Sequence, residues 1–108
     1  MATTIRSGIS DLVNTLNKVR NNTTVAQEQI ELQKLINALF ILWQQVIFDQ
    51  MDKTDADYKA AIRSLNDAEK TARAALKDLD QVADAIKSAT AAAKAVDKVV
   101  KFAVKLLV

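Results

Sequence analysis

The sequence predicts an all-α protein built as a helical hairpin, whose second arm is one long, coiled-coil-like C-terminal helix. Three observations predict it. Proline is absent and glycine occurs once, at Gly8, so residues that break helices are almost missing from the 108. Apolar residues in the first half recur three and four apart, which gathers them on one side of a helix. From Tyr58 onward an apolar heptad runs without a skip to the end of the chain.

The first element is read from Ile5, Ile9, Leu12, Val13, Leu16 and Val19, a stripe that predicts a helix near residues 4–20. The polar run Asn21, Asn22, Thr23 and Thr24 follows. Asn and Thr compete with the helix for backbone hydrogen bonds, and Thr24 with Gln27 has the spacing of a capping box, so a second helix is expected over 24–51. The alternative is that this run is one polar turn within a fused helix.

Inside the second helix, residues 35–48 read LINALFILWQQVIF, with eleven apolar residues of fourteen and no charge. A helix with one buried side shows a stripe, whereas this segment is apolar nearly all round and calls for protein or lipid on every side. At 1.5 Å per residue it is about 21 Å long, short of the ~30 Å hydrocarbon layer of a membrane. Leu35, Leu39, Phe40, Ile41, Leu42, Trp43, Val46, Ile47 and Phe48 are the candidate residues for self-association or lipid contact.

The polar stretch around Lys53 is expected to reverse the chain, with Thr54 and Asp57 at capping-box spacing. The third helix is expected over 55–107. Its a positions are Tyr58, Leu65, Ala72, Leu79, Ile86, Ala93, Val100 and Leu107, and its d positions are Ala61, Ala68, Ala75, Val82, Ala89, Val96 and Ala103. In a hairpin centred near Lys53, Trp43 would lie opposite Ser64 and Ile9 opposite Lys98. The alternative architecture is a compact four-helix bundle in which the long helix breaks around Ser88 to Thr90, where neither Gly nor Pro assists it. Either way 1–108 is read as one domain.

Basic residues after Tyr58 fall at b and f of the same register and form one stripe, interrupted by Asp80 and Asp84. Its last part, Lys94, Lys98, Lys101 and Lys105, is a basic ridge on an otherwise apolar tail. Such a ridge fits a solvated edge in an oligomer or an interfacial helix whose lysines reach headgroups. Nucleic acid is not an expected partner, because the formal charge is only +2 and Phe102 is the sole aromatic residue after Tyr58.

Composition argues against conventional catalysis. With no His and no Cys, the usual general base, thiolate chemistry and the commonest metal ligands are missing together. One Gly makes no phosphate-binding loop. No enzymatic activity, cofactor, metal or small-molecule substrate is expected. The N-terminal residues lack a signal peptide's apolar core and no eighteen-residue apolar run exists, so a soluble chain, cytoplasmic as synthesised, is expected. The functional expectation is a self-associating helical protein that forms a bundle, ring or filament of copies through residues 35–48. The alternative is a membrane-active, pore-forming protein that exposes the same segment to lipid.

Overall fold

The computed structural model describes residues 4–46 and 55–107, with side chains described in the second segment as far as Val100. Helices α1 (Ile5–Asn22), α2 (Ala26–Gln45), α3 (Ala56–Lys77) and α4 (Val82–Leu107) make a four-helix bundle, with a short 3-10 turn, Leu79–Gln81, between the last two.

Helix α1 begins where Thr4 caps it. Thr4 Oγ1 accepts from the Ser7 N–H at 3.1 Å, and the Thr4 N–H donates to Ser7 Oγ at 3.3 Å, so two otherwise unpaired end groups are satisfied reciprocally. Ile5, Ile9, Leu12, Leu16 and Val19 are fully buried, as the stripe predicts. The chain does break after Asn22, but by a different device from the expected one. Val25, not Thr24, stands at the N-cap, and it offers no side-chain cap. The turn is held from Thr23 instead. Its buried hydroxyl donates to Glu28 Oε1 at 3.1 Å, and its carbonyl accepts from Gln29 Nε2 at 2.7 Å. Side chains one turn into α2 thus pin the turn, although neither bond reaches the free N–H groups at the start of the helix.

Helix α2 turns Leu32, Ile36, Leu39, Leu42 and Val46 into the core and ends with the Val46 N–H on the Leu42 carbonyl. The expected continuation to residue 51 lies outside the described residues. Asp55 caps α3, its Oδ1 accepting from the N–H groups of Asp57 and Tyr58 at 2.7 and 3.4 Å. Thr54, expected to share that role, also lies outside the described residues.

The helical hairpin with one long C-terminal helix is not what forms. The long helix breaks, ten residues before the Ser88 to Thr90 site the alternative assigned to it. Asp78 takes an extended backbone, φ −144° and ψ 105°. Its N–H closes α3 on the Ala74 carbonyl, its carbonyl accepts from the Gln81 N–H at 3.0 Å, and its side chain accepts from the Asp80 N–H at 3.0 Å. Three bonds from one residue end one helix and start the next.

The physical reason for the bend is the thinness of an alanine seam. A straight helix from residue 55 to 107 would be about 78 Å long and would present mostly Ala at its d positions, burying little area per layer. Folding back lets α3 and α4 cover each other, and Ala61, Ala68, Ala72 and Ala75 on one meet the alanine face of the other. The molecule measures 44 × 22 × 17 Å with a radius of gyration of 13.7 Å, close to the roughly 13 Å of a compact domain this long.

The bend also rotates the seam. In α3 the buried residues keep the a and d positions: Tyr58, Ala61, Leu65, Ala68, Ala72 and Ala75. In α4 they are Val82, Ala85, Ala89, Ala92, Val96 and Val99, which are d and g, joined by Val100. Leu79, an a residue, is left exposed in the turn.

Around the square the order is α1, α2, α4, α3. Consecutive helices within each hairpin are antiparallel, but the neighbours across hairpins run parallel. The Ile5 N–H reaches Tyr58 Oη at 3.4 Å and Thr15 Oγ1 reaches Glu69 Oε1 at 2.9 Å, so α1 and α3 ascend together. The expected facing pairs are corrected accordingly: α2 and α3 occupy opposite corners, so Trp43 does not face Ser64, and α1 packs on α2 and α3 rather than along the far end of α4.

The α1–α3 seam also holds a carboxylate. Glu69 Oε1 takes hydrogen bonds from Thr15 and from Arg73 Nε at 2.7 Å, while Glu69 Oε2 is buried with no partner among the described residues. An orphaned buried oxygen costs about 1–3 kcal/mol. The contact therefore sets how the two hairpins align more than it stabilises them.

Candidate interaction surface

Helix α2 separates the predicted contact residues into two groups, because 100° per residue places neighbours in sequence on different sides. Leu39, Leu42 and Val46 are buried against α1 and α4. Leu35 and Trp43 are half-buried and pack on the edge of the same core. Phe40 and Ile41 point out, 51% and 54% exposed. Ile47 and Phe48 lie outside the described residues. Sequence reasoning brought these nine together as one patch; the fold keeps only part of it at the surface.

That division overturns the functional expectation. Self-association was inferred from a hairpin that left residues 35–48 largely uncovered, and the bundle covers the described part, 35–46, from two sides. Lipid exposure and pore formation fall with it: the inward half of the segment is already packed, and no helix among the described residues is long and apolar enough to cross a membrane.

The exposed part has its own structure. The rings of Phe40 and Trp43, one turn apart, stack with centroids 5.9 Å apart and planes 14° from parallel. Arg6 of α1 lies over the Trp43 ring, its guanidinium carbon 4.3 Å from the centroid. An arginine face on an indole is a favourable cation–π contact. It also pins the top of α1 to the top of α2. Arg6 and Phe40 thus both lie against Trp43 at the edge of the bundle. Sequence reasoning missed Arg6, since nothing in the spacing of Arg6 and Trp43 announces a contact between helices.

Electrostatically the region is unusual for this protein. From Leu35 to Val46 α2 carries no charged residue, and its exposed polar side chains are Asn37, Gln44 and Gln45. Lys34 marks the lower border and Arg6 the upper. On the other side of the molecule α3 presents Lys59, Arg63, Lys70, Arg73 and Lys77 to solvent.

The basic ridge is only partly placed. Lys94 and Lys98 are exposed on α4, and Lys98 Nζ lies 3.4 Å from Asp57 Oδ1 at the start of α3. That ion pair ties the top of α4 to its hairpin partner; between two solvated side chains it contributes little. The side chains of Lys101 and Lys105 lie outside the described ones.

At the lower end, Arg20 Nη1 donates to Gln33 Oε1 and closes the α1–α2 hairpin. Among the described residues no three His, Cys, Asp or Glu gather in a way that could hold a metal ion. Two hydroxyls stand beside carboxylates among the described residues: Thr23 with Glu28 holds the α1–α2 turn, and Thr15 with Glu69 sits in the helix seam and shares its single proton between Glu69 and the Asp11 carbonyl. No protein-family model, no curated protein and no solved structure matches this chain.

Proposed function

We propose that this chain is a non-enzymatic, protein-binding helical module, and that its recognition element is the outer face of α2 between Lys34 and Val46. One observation carries the reading. On a stretch of three turns without a charge, the chain keeps Phe40 and Ile41 more than half exposed beside a half-buried Trp43, while the same helix buries Leu39 and Leu42. Protein interfaces are depleted in charge at their centres and enriched in aromatic residues, which is the composition found here. The Arg6 stack adds rigidity, because an aromatic pair already held in place loses little side-chain freedom when a partner arrives.

The remainder of the molecule supports a scaffold role. Three helices exist to hold α2, and their outward faces are charged and solvated. The composition, without His or Cys, favours recognition over chemistry.

The test is a photocrosslinking pair in the cells that make the protein. Phe40 is replaced by benzoylphenylalanine, a ring of related shape, and Arg63 on the outer face of α3 is replaced in a separate variant. The reading predicts one discrete protein adduct from position 40, lost when Ile41→Glu is added, and none from position 63. Circular dichroism of Ile41→Glu checks that the fold survives. The same adducts from both positions, no adduct from position 40, or an adduct of two copies of this chain would contradict it.

A further inference from the structure

We infer that the bend at Asp78 is a hinge through which two copies of this chain exchange α4, each copy's last helix completing the bundle of the other. The outer face of α2 takes no part in the exchange, so the inference stands apart from the reading of that surface.

Very little of the backbone separates the bend from helix. Asp78 is extended, at φ −144° and ψ 105°, whereas Val82 already has helical angles, φ −62° and ψ −40°. Between them Leu79–Gln81 is a 3-10 turn, whose angles lie within about 20° of those of an α-helix. From Lys77 to Val82 there is no Gly and no Pro, so the hinge contains no residue that forbids a helix.

The bonds that hold the bend are replaceable. The Asp78 carbonyl accepts from the Gln81 N–H and Asp78 Oδ1 accepts from the Asp80 N–H, both at 3.0 Å. With the hinge in a helical conformation, both N–H groups find carbonyls four residues back. The third bond, from the Asp78 N–H to the Ala74 carbonyl, is already a helical one. Leu79 gains as well: it is 45% exposed in the bend, and opening the hinge returns it to the apolar row between Ala75 and Val82, its neighbours at helical spacing.

Opening a single copy is unfavourable, because Val82, Ala85, Ala89, Ala92 and Val96 are fully buried and would leave the core. A second copy removes that loss. Its α1, α2 and α3 offer the same frame, so α4 meets across the pair the residues it meets within one chain, and the ion pair of Lys98 with Asp57 forms between copies. Each half keeps the four-helix bundle, and only residues 78–81 change. A connection this short favours exchange, since it has no slack with which to relieve its turn. Two chains must meet, so concentration sets the balance: dilute protein is the folded-back monomer, and concentrated protein exchanges.

The test is refolding from urea at low and high protein concentration, followed by light scattering on a sizing column. Concentrated refolding should give a dimer and dilute refolding a monomer. Asp78→Ala removes the side-chain bond from both bends of a pair and should raise the dimerisation constant about thirtyfold. Leu79→Pro should keep the monomer and abolish the dimer at every concentration. Proline suits the first position after an N-cap, and it holds the preceding residue extended, as Asp78 already is. Exchange is told from simple contact by co-refolding a chain with only Asp57→Cys and a chain with only Lys98→Cys, then adding a short bismaleimide. The two chains become linked where α4 of one lies on α3 of the other. A monomer at every concentration in both the unsubstituted chain and Asp78→Ala, a dimer that Leu79→Pro leaves intact, or a dimer without the cross-chain link would overturn the inference.

Discussion

The two hairpins of this bundle are built from different materials. Apart from Gly8 and Thr15, the buried positions of α1 and α2 are Ile, Leu and Val, whereas those of α3 and α4 include Ala61, Ala68, Ala72, Ala75, Ala85, Ala89 and Ala92. Large residues fill volume and small ones let helix axes approach, so the first hairpin supplies the bulk of the core and the second closes tightly around it. Their outsides differ in the opposite sense. The alanine-cored hairpin is covered in charge, and the leucine-cored one leaves an uncharged face on α2. A helix with apolar residues nearly all round has more than a square bundle can cover, and what stays outside is Phe40 and Ile41.

That contrast makes substitutions behave differently in the two halves. The largest effect is expected from Leu39→Ala, which removes a fully buried side chain from the bulky half and should cost about 2–5 kcal/mol in urea unfolding. Ala68→Leu asks the reverse question of the tight half. Ala68 is fully buried, so added methylenes should overpack the seam and destabilise by about 1–3 kcal/mol; in an extended pair of helices the same change would add buried area and stabilise. Asp78→Ala removes the side-chain cap at the bend and should cost about 1 kcal/mol, with little change in m-value because the fold is retained. The smallest effect belongs to Phe40→Ser/Ile41→Ser, where two half-exposed side chains should change stability by no more than about 0.5 kcal/mol. A large loss there would show that the outer face of α2 is structural after all.

Much of this fold was legible in the residues. The stripe from Ile5 to Val19 and the seam from Tyr58 to Ala75 are buried as their spacing indicates. The bend was not, for a definite reason. Ala85, Ala92 and Val99 sit at g and are as apolar as the a and d residues, so a heptad written across residues 78–81 hides a change of seam. The signal was nonetheless present: Asp78 and Gln81 stand at the spacing of an N-terminal cap, and Asp80 with Asp84 interrupts the basic stripe at that place. On α2 the limit was deeper. A segment without a polar stripe gives no indication of which side faces in, and only the positions of α1 and α4 separate Leu39 and Leu42 from Phe40 and Ile41. The Arg6–Trp43 stack is a contact between helices with no trace in local spacing.

The bend at Asp78 is the feature on which the bundle and its exposed face both depend, and a distance measurement tests it directly. The chain contains no cysteine, so spin labels at Lys59→Cys and Lys98→Cys report on one pair of sites. With α4 folded back so that Lys98 lies beside Asp57, neighbouring helices at ordinary packing distance predict a narrow label separation below about 25 Å. A separation near 58 Å, the span of 39 residues in an unbroken helix, would contradict the account.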